Sequence, residues 1–219
     1  MSAEDVSAGS SRAGRRSPAD PDEIPEIARG RRWKIRRWWE RLPPGHNGIE
    51  AWRLFDRGAL ARLRRASTPL DVLDEEVVFQ LHHGLGYGRR QAADILVPVA
   101  VAACVLARVA ADNPARSLAA VLGPPYGSRD GEPPPLLSPL RLKRLTAARD
   151  PDDLLRQLRR AVDLAGDRPV DVAGLGETVL DWLDPERGDR VRAAFAFDYH
   201  AAAHRPPGRD LEPASPPAA

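Results

Sequence analysis

The segment DPDDLLRQLRRAV, residues 150–162, carries the clearest helix signal in the chain. An aspartate can cap a helix, proline is favoured at the first helical position, and the next two carboxylates face the positive end of the helix dipole. The apolar residues that follow recur at helical spacing, which places them on one stripe. They are Leu154, Leu155, Leu158 and Val162. The segment therefore predicts an amphipathic helix that follows an Asp150 cap and buries one side.

Helical patterns extend through the rest of the chain and predict an all-α fold. Hydrophobic residues make up 42% of the 219 residues, but only 5% are aromatic. A core built from Ala, Leu and Val favours helices over strands, and no segment alternates convincingly between apolar and polar residues. The other predicted helices are residues 31–42, 51–66, 71–85, 95–111 (with a kink at Pro98), 115–122, 172–183 and 191–203.

Composition divides the chain into two helical lobes flanked by tails. The N-terminal residues 1–28 and the Pro-rich C-terminal residues 205–219 have almost nothing to bury, so both are predicted to be disordered. The Gly- and Pro-rich residues 123–139 predict a linker or a long surface loop. The expected organisation is a two-lobed helical bundle, with an N-terminal lobe at residues 29–122 and a C-terminal lobe at residues 140–204.

The single cysteine and the apolar runs narrow the class of protein. Cys104 excludes an internal disulfide and a zinc site built from several thiolates, and its apolar surroundings predict an inert core thiol. The longest apolar stretch, residues 95–107, is too short to span a bilayer. The N-terminus is polar and basic and lacks the apolar region of a secretory signal. We therefore expect a cytoplasmic protein that does not associate with a membrane.

No set of residues predicts a catalytic, metal or cofactor site. His82 and His83 are adjacent, so their side chains diverge by about 100° on a helix. His200 and His204 have the spacing of a metal-binding pair, but no HExxH motif surrounds them, and a solvated pair is expected. GLGYG, residues 84–88, lacks the preceding strand of a phosphate-binding loop and predicts a helix-ending turn. We predict that the chain is not an enzyme and binds no cofactor or metal.

Basic residues concentrate in two blocks, although the net charge is only +2. Residues 29–65 hold twelve Lys and Arg against three acids, and residues 141–160 hold seven against three. Arginine forks bind phosphate oxygens in a bidentate way, so two such blocks indicate binding to nucleic-acid backbone. For either block alone, a solvated face is the alternative. Residues 163–189 hold eight acids against two arginines and predict a solvated or partner-facing acidic surface.

The candidate backbone-binding residues lie in these two basic blocks. No recognition helix, zinc finger or aromatic ribonucleoprotein motif accompanies them, so we expect binding without base specificity. Helical geometry places Arg53 and Arg57 opposite the apolar stripe of residues 51–66. The basic run at residues 29–37 is interpreted as an accessory arm. The full candidate set is Arg53, Arg57, Arg64, Arg65, Arg141, Lys143, Arg144, Arg159 and Arg160.

The sequence AWRLFDRGALARLRRA, residues 51–66, resembles the N-terminal signature of the CasB family, the small subunit of the type I-E CRISPR Cascade complex. That signature consists of a Trp, an Asp-x-Gly, and an apolar residue followed by two arginines. Its positions here are Trp52, Asp56, Gly58, Leu63, Arg64 and Arg65. The similarity covers roughly residues 38–203 and continues through VFQLHHGLGY at residues 78–87, Ser117-Leu118, residues 140–162 and Leu180-x-Trp182.

The chain departs from the family pattern at two places. Ala119 and Ala120 stand where relatives often carry Gly-Arg, so a basic contact is missing there or is supplied by Arg116. Leu183 replaces the second aromatic residue of a terminal pair, which weakens a packing signature and leaves the functional interpretation unchanged.

The resemblance implies a non-catalytic, two-lobed helical subunit that is present as two copies in a crRNA-guided complex. Its implied partners are crRNA, target DNA, the displaced single strand and other Cascade subunits, including a second copy of itself. The implied role is to support the crRNA–target heteroduplex and the displaced strand, and so to stabilise the R-loop in antiviral defence. The family pattern supports Arg64, Arg65, Arg141, Arg144, Arg159 and Arg160 as binding residues.

Two other functions remain open at this stage. One is a protein-scaffold subunit whose arginines pair with acidic protein partners. The other is a helical DNA-binding regulator, which would have to make base-specific contacts.

Overall fold

The computed structural model describes residues 30–42, 56–128 and 133–204, and these residues fold into helices joined by loops. The α-helices are α1 (Arg31–Glu40), α2 (Arg57–Arg65), α3 (Glu76–Leu85), α4 (Ala92–Leu106), α5 (Leu118–Leu122), α6 (Pro139–Ala147), α7 (Pro151–Ala165), α8 (Val172–Trp182) and α9 (Gly188–Ala201). Short 3₁₀ helices lie at Pro69–Val72, Arg89–Gln91 and Ala202–His204. The only β feature among the described residues is an isolated bridge between Asp112 and Val170. The predicted all-α class is confirmed.

Helix α7 forms as its sequence predicts. The carboxylate of Asp150 accepts hydrogen bonds from the backbone N–H groups of Asp152 and Asp153, at 3.0 and 3.1 Å. These contacts satisfy two of the amides that a helix N-terminus leaves without an intrahelical partner. Leu154 and Leu158 are fully buried, so the helix packs on its predicted apolar stripe.

One predicted helix boundary shifts because the backbone finds other partners. The helix predicted at residues 95–111 ends at Leu106, since the chain beyond it bonds to the segment that precedes α8. Asn113 N–H donates to the Val170 carbonyl at 3.0 Å, and Val170 N–H donates to the Ala111 carbonyl at 3.1 Å. The predicted turn at residues 84–88 is confirmed, because Gly86 ends α3 in the left-handed conformation, with φ of 83°.

Helix α4 lies at the centre of the core. Its residues 99–106 are all buried, and it packs against α3, α7 and α8. Buried side chains from both halves of the chain form one continuous hydrophobic cluster. The division into two lobes at residues 123–139 stays a prediction.

The described parts of the predicted linker are not helical before Pro139, and Leu137 bonds to residues on both sides of this linker. Leu137 is buried, its N–H donates to the Leu122 carbonyl at 3.1 Å, and its carbonyl accepts a hydrogen bond from the Tyr199 hydroxyl at 2.6 Å. The predicted disordered tails, residues 1–28 and 205–219, lie outside the described residues.

Helix α1 belongs to the folded core, so the interpretation of residues 29–37 as an accessory arm is wrong. The helix packs against α8 and α3, and Ile35 is fully buried. Close approach depends on Gly176 of α8, because a Cβ atom there would lie 2.6 Å from Ile35 Cγ2. The Trp38 indole N–H donates to the Val77 carbonyl of α3 at 2.9 Å. Apolar packing therefore holds the basic run in place.

Candidate nucleic-acid interface

Helix α2 presents Arg57, Arg64 and Arg65 at the surface because its opposite side is buried. The Asp56 carboxylate caps the helix by accepting a hydrogen bond from a backbone N–H of the first turn. Leu63 has no exposed surface and anchors the helix on the core. The side chains that point away from Leu63 are therefore held in solvent on a fixed helix.

The arginines of α2 differ in the partners they find. Arg57 and Arg65 form no side-chain hydrogen bond or ion pair with any residue in the described ranges. Arg64 donates from Nε to the Ala107 carbonyl at 2.7 Å, but its two terminal nitrogens donate to no described residue. Arg62 is paired with the Glu75 carboxylate, with Nη2 2.9 Å from Oε2. Arg53, the remaining candidate of this block, lies outside the described residues.

Helix α6 presents the first three candidates of the second block. Ser138 caps it, with Oγ 3.4 Å from the backbone nitrogen of Arg141, and Pro139 occupies the first helical position. Leu142 and Leu145 face the core. The basic side chains between them are exposed and pair with no carboxylate in the part of the chain that the structure describes; they are Arg141, Lys143 and Arg144.

The adjacent arginines of α7 lie in different surroundings. Arg160 is exposed and has no side-chain partner among the described residues. Arg159 is half-buried, and its two terminal nitrogens donate to the backbone carbonyls of Ala66 and Arg64, the latter at 2.6 Å. The fold thus brings the end of α2, with Arg64 and Arg65, against the middle of α7. No hydrogen bond or ion pair among the described residues joins the side chains of the α6 candidates to the end of α2 or to α7.

Arg108 also contacts the end of α2, and this contact could not be predicted from local sequence. Its guanidinium makes a bidentate ion pair with Asp163 of α7, at 2.8 and 2.9 Å, and also donates to the Arg64 carbonyl at 2.8 Å. The two partners of the ion pair are 55 residues apart. The only sequence signal was a basic residue that follows directly after a buried apolar run. We call Arg64, Ala66, Arg108, Arg159 and Asp163 the α2–α7 junction.

Acidic residues of α8 and of its N-cap neutralise Arg31 and Arg32, the first two basic residues of α1. Arg31 pairs with Asp181 at 2.5 Å and with Glu177 at 3.4 Å, and Arg32 pairs with Asp171 at 2.6 Å. The hydrogen bonds to Asp181 raise the pKa of Arg31 above its ordinary value. The predicted solvated or partner-facing acidic surface is therefore wrong for these three acids, because α1 covers them.

Pairing separates the arginines of the chain into two groups. The arginines of α1 and several others contact carboxylates, whereas most of the candidate residues do not. We call the exposed candidates that lack any side-chain partner among the described residues the unpaired set. Its members are Arg57, Arg65, Arg141, Lys143, Arg144 and Arg160.

The other residues with reactive side chains do not assemble into a site within the described ranges. His82 is buried and His83 is exposed, as their adjacent positions on α3 require. His200 and His204 are both exposed. No group of three or more His, Cys, Asp or Glu side chains in residues 30–42, 56–128 and 133–204 could hold a metal ion. Burial raises the pKa of the Cys104 thiol to about 12, so this thiol is inert as predicted.

None of the described helices is long and apolar enough to cross a bilayer.

These observations define an all-helical protein that presents unpaired basic side chains on α2, α6 and α7. A family model described as CRISPR-associated protein Cse2 matches residues 59–200, well over half of the chain. The chain therefore belongs to this family, and its predicted membership of the CasB family, the small subunits of type I-E Cascade, is confirmed. The match includes every member of the unpaired set except Arg57, and it excludes α1.

A solved structure has the same fold. The chain is similar to CasB from Thermobifida fusca in its crystal structure, with a TM-score of 0.54 and 19% identity. The superposition covers 81% of this chain and 99% of that chain. No curated protein matches the chain.

Proposed function

We propose that the chain is a non-catalytic Cascade subunit that holds nucleic-acid backbone without reading its sequence. The observation that carries this proposal is the unpaired set on α2, α6 and α7. Each member exposes a basic side chain with no carboxylate to neutralise it among the described residues. In contrast, each arginine of α1 already pairs with a carboxylate. Positive charge is therefore available to phosphates at particular surfaces, even though the net charge is small.

The chemistry of these surfaces suits a crRNA-guided complex. Sequence is read there by base pairing between guide and target, so a supporting subunit needs only charge at phosphate spacing. Arginine supplies that charge together with bidentate hydrogen bonding. The proposed role is to support the crRNA–target heteroduplex and the displaced strand, and so to stabilise the R-loop, beside other Cascade subunits and a second copy of this chain.

A salt titration of the purified chain tests the proposal. The affinity for single-stranded oligonucleotides, measured by fluorescence anisotropy, should fall as the NaCl concentration rises. The slope of log K against log [NaCl] should become shallower by about 0.7 for each phosphate contact that a substitution removes. Arg65→Gln should weaken binding to all sequences about equally and reduce the slope. Arg62→Gln is the matched control, because it removes the same charge from the same helix but from a side chain paired with Glu75.

Two outcomes would contradict the proposal. One is an affinity that does not change with salt. The other is equal loss of affinity in Arg62→Gln and Arg65→Gln, because net charge alone would then account for the effect.

A protein-scaffold role is the second candidate, and exposed apolar side chains favour it. Phe197 of α9 is 72% exposed and Leu140 of α6 is 60% exposed, and large exposed apolar residues are enriched at protein interfaces. Normal assembly into Cascade by a chain that shows no affinity for nucleic acid would support this role over the first.

A further inference from the structure

The C-terminal end of α2 is held by side chains from distant parts of the chain. The last carbonyls of a helix have no intrahelical partner, and here the chain leaves the helix at Ala66, with φ of −46° and ψ of 126°. Arg159 of α7 donates to the Arg64 and Ala66 carbonyls, which lie on either side of this exit. One guanidinium therefore holds both the last turn of α2 and the residue that follows it.

A second arginine reinforces the same end of the helix. Arg108 donates to the Arg64 carbonyl at 2.8 Å while Asp163 grips its guanidinium through two hydrogen bonds. Arg159 and Asp163 are four residues apart on α7, so they lie on one face of that helix. This face of α7 holds the end of α2 twice, directly through Arg159 and indirectly through Arg108.

We infer that Arg159 is a positioning residue that orients Arg64 and Arg65 for phosphate, and that it does not bind phosphate itself; this inference rests on the proposed function. Both terminal nitrogens of Arg159 donate to backbone carbonyls, so its fork is already occupied. The N–H groups that donate to these carbonyls cannot also bind a phosphate, and the side chain is half-buried. The adjacent Arg160 has no such commitment and remains a phosphate-binding candidate.

A double-mutant cycle separates positioning from direct contact. Arg159 bonds to the backbone carbonyl of Arg64, so Arg64→Gln and Arg65→Gln leave that bond in place. In the wild type, Arg159→Gln should weaken single-strand affinity by up to about tenfold, because two phosphate ligands lose their orientation. In the Arg64→Gln/Arg65→Gln background, the same substitution should have no further effect. Arg160→Gln is the matched control on the same helix and should weaken binding equally in both backgrounds.

A rescue variant and hydrogen exchange provide readouts independent of the cycle. Arg159→Lys keeps the charge but cannot span two carbonyls with one ammonium group, so it should bind no better than Arg159→Gln. Amide exchange at the end of α2 should be faster in Arg159→Gln than in the wild type and unchanged in Arg160→Gln.

The possible failures are distinguishable. Additive losses in the cycle, together with unchanged exchange in α2, would overturn the positioning role and make Arg159 a phosphate ligand. Wild-type binding that ignores salt would overturn the proposed function, and with it the role of Arg64 and Arg65.

Discussion

His82 is a buried imidazole whose protonation opposes folding. The residue is 5% exposed, its Nε2 atom has no hydrogen-bond partner among the described residues, and the His83 and Tyr87 rings lie 5.7 and 5.8 Å from its own. Burial, and secondarily the charge of His83, lower the pKa of His82 below its ordinary value of 6.5. The unfolded chain therefore binds this proton more readily than the folded protein does.

Because the folded protein binds this proton less readily, protonation of His82 should destabilise the fold as the pH falls. Since the folded-state pKa is lowered, the contribution of His82 is complete above pH 6.5 and is lost as the pH falls below that value. The slope for one proton is at most about 1.4 kcal/mol per pH unit. Urea denaturation between pH 7.5 and 5 should show a smaller loss of unfolding free energy in His82→Gln than in the wild type. His83→Gln should lose only the smaller part of the slope, the part that comes from the charge of His83; a slope as shallow as that of His82→Gln would refute the assignment.

Two pairs of adjacent residues show what the sequence could and could not predict about single side chains. The spacing of His82 and His83 predicted that the two rings diverge, and one is buried while the other is exposed. The pair Arg159 and Arg160 looked equivalent in sequence, and both were predicted to bind phosphate. Only the fold distinguishes them, since Arg159 meets carbonyls that are more than 90 residues away.

Among the elements, α1 and α8 pack closely at Gly176. Gly176 lies opposite Ile35, and a methyl group there would also come within 3.3 Å of Leu106 Cδ1. The basic and acidic side chains around this contact complete the interface. Apolar fit and charge pairing thus act on the same two helices.

Gly176→Ala should therefore destabilise the protein despite the better helix propensity of alanine. Propensity favours alanine by about 1 kcal/mol, whereas overpacking a core costs about 1–3 kcal/mol. We expect a net loss of up to about 2 kcal/mol in urea denaturation. Gly84→Ala in α3 is the matched control, because its Cβ meets nothing within 4 Å, and it should be neutral or stabilising. A stabilised Gly176→Ala variant would mean that α1 does not pack as described.

Helices with strong local signals were predictable, and helices defined by distant contacts were not. The aspartate cap and leucine stripe of α7 are local features, and both are confirmed. The place of α1 was missed, because Arg31 and Asp181 are 150 residues apart and no short-range pattern links them. The same limit applies to Arg108 and Asp163.

Across the whole molecule, charge pairing matters more than net charge. The net charge of +2 conceals basic side chains that the fold neutralises on α1 and others that it leaves unpaired on α2, α6 and α7. Sequence predicted both basic blocks but could not indicate which residues would be neutralised, because that depends on tertiary contacts. Of the candidate residues, the fold joins Arg64 to Arg159.

Helix α1 lies outside the family match, yet its removal should destabilise the entire fold. Ile35, Trp38 and Trp39 are buried, and each large apolar side chain contributes about 1.5–3 kcal/mol. Their combined loss approaches the 5–15 kcal/mol total stability of a typical domain. A chain that begins at residue 43 should therefore bind the dye ANS and lose cooperative unfolding by near-ultraviolet circular dichroism. A chain that begins at Gly30 is the matched control, and a peptide of residues 30–42 added in trans should restore cooperativity. Cooperative unfolding of the shorter chain alone, at wild-type stability, would show that α1 is dispensable for the fold.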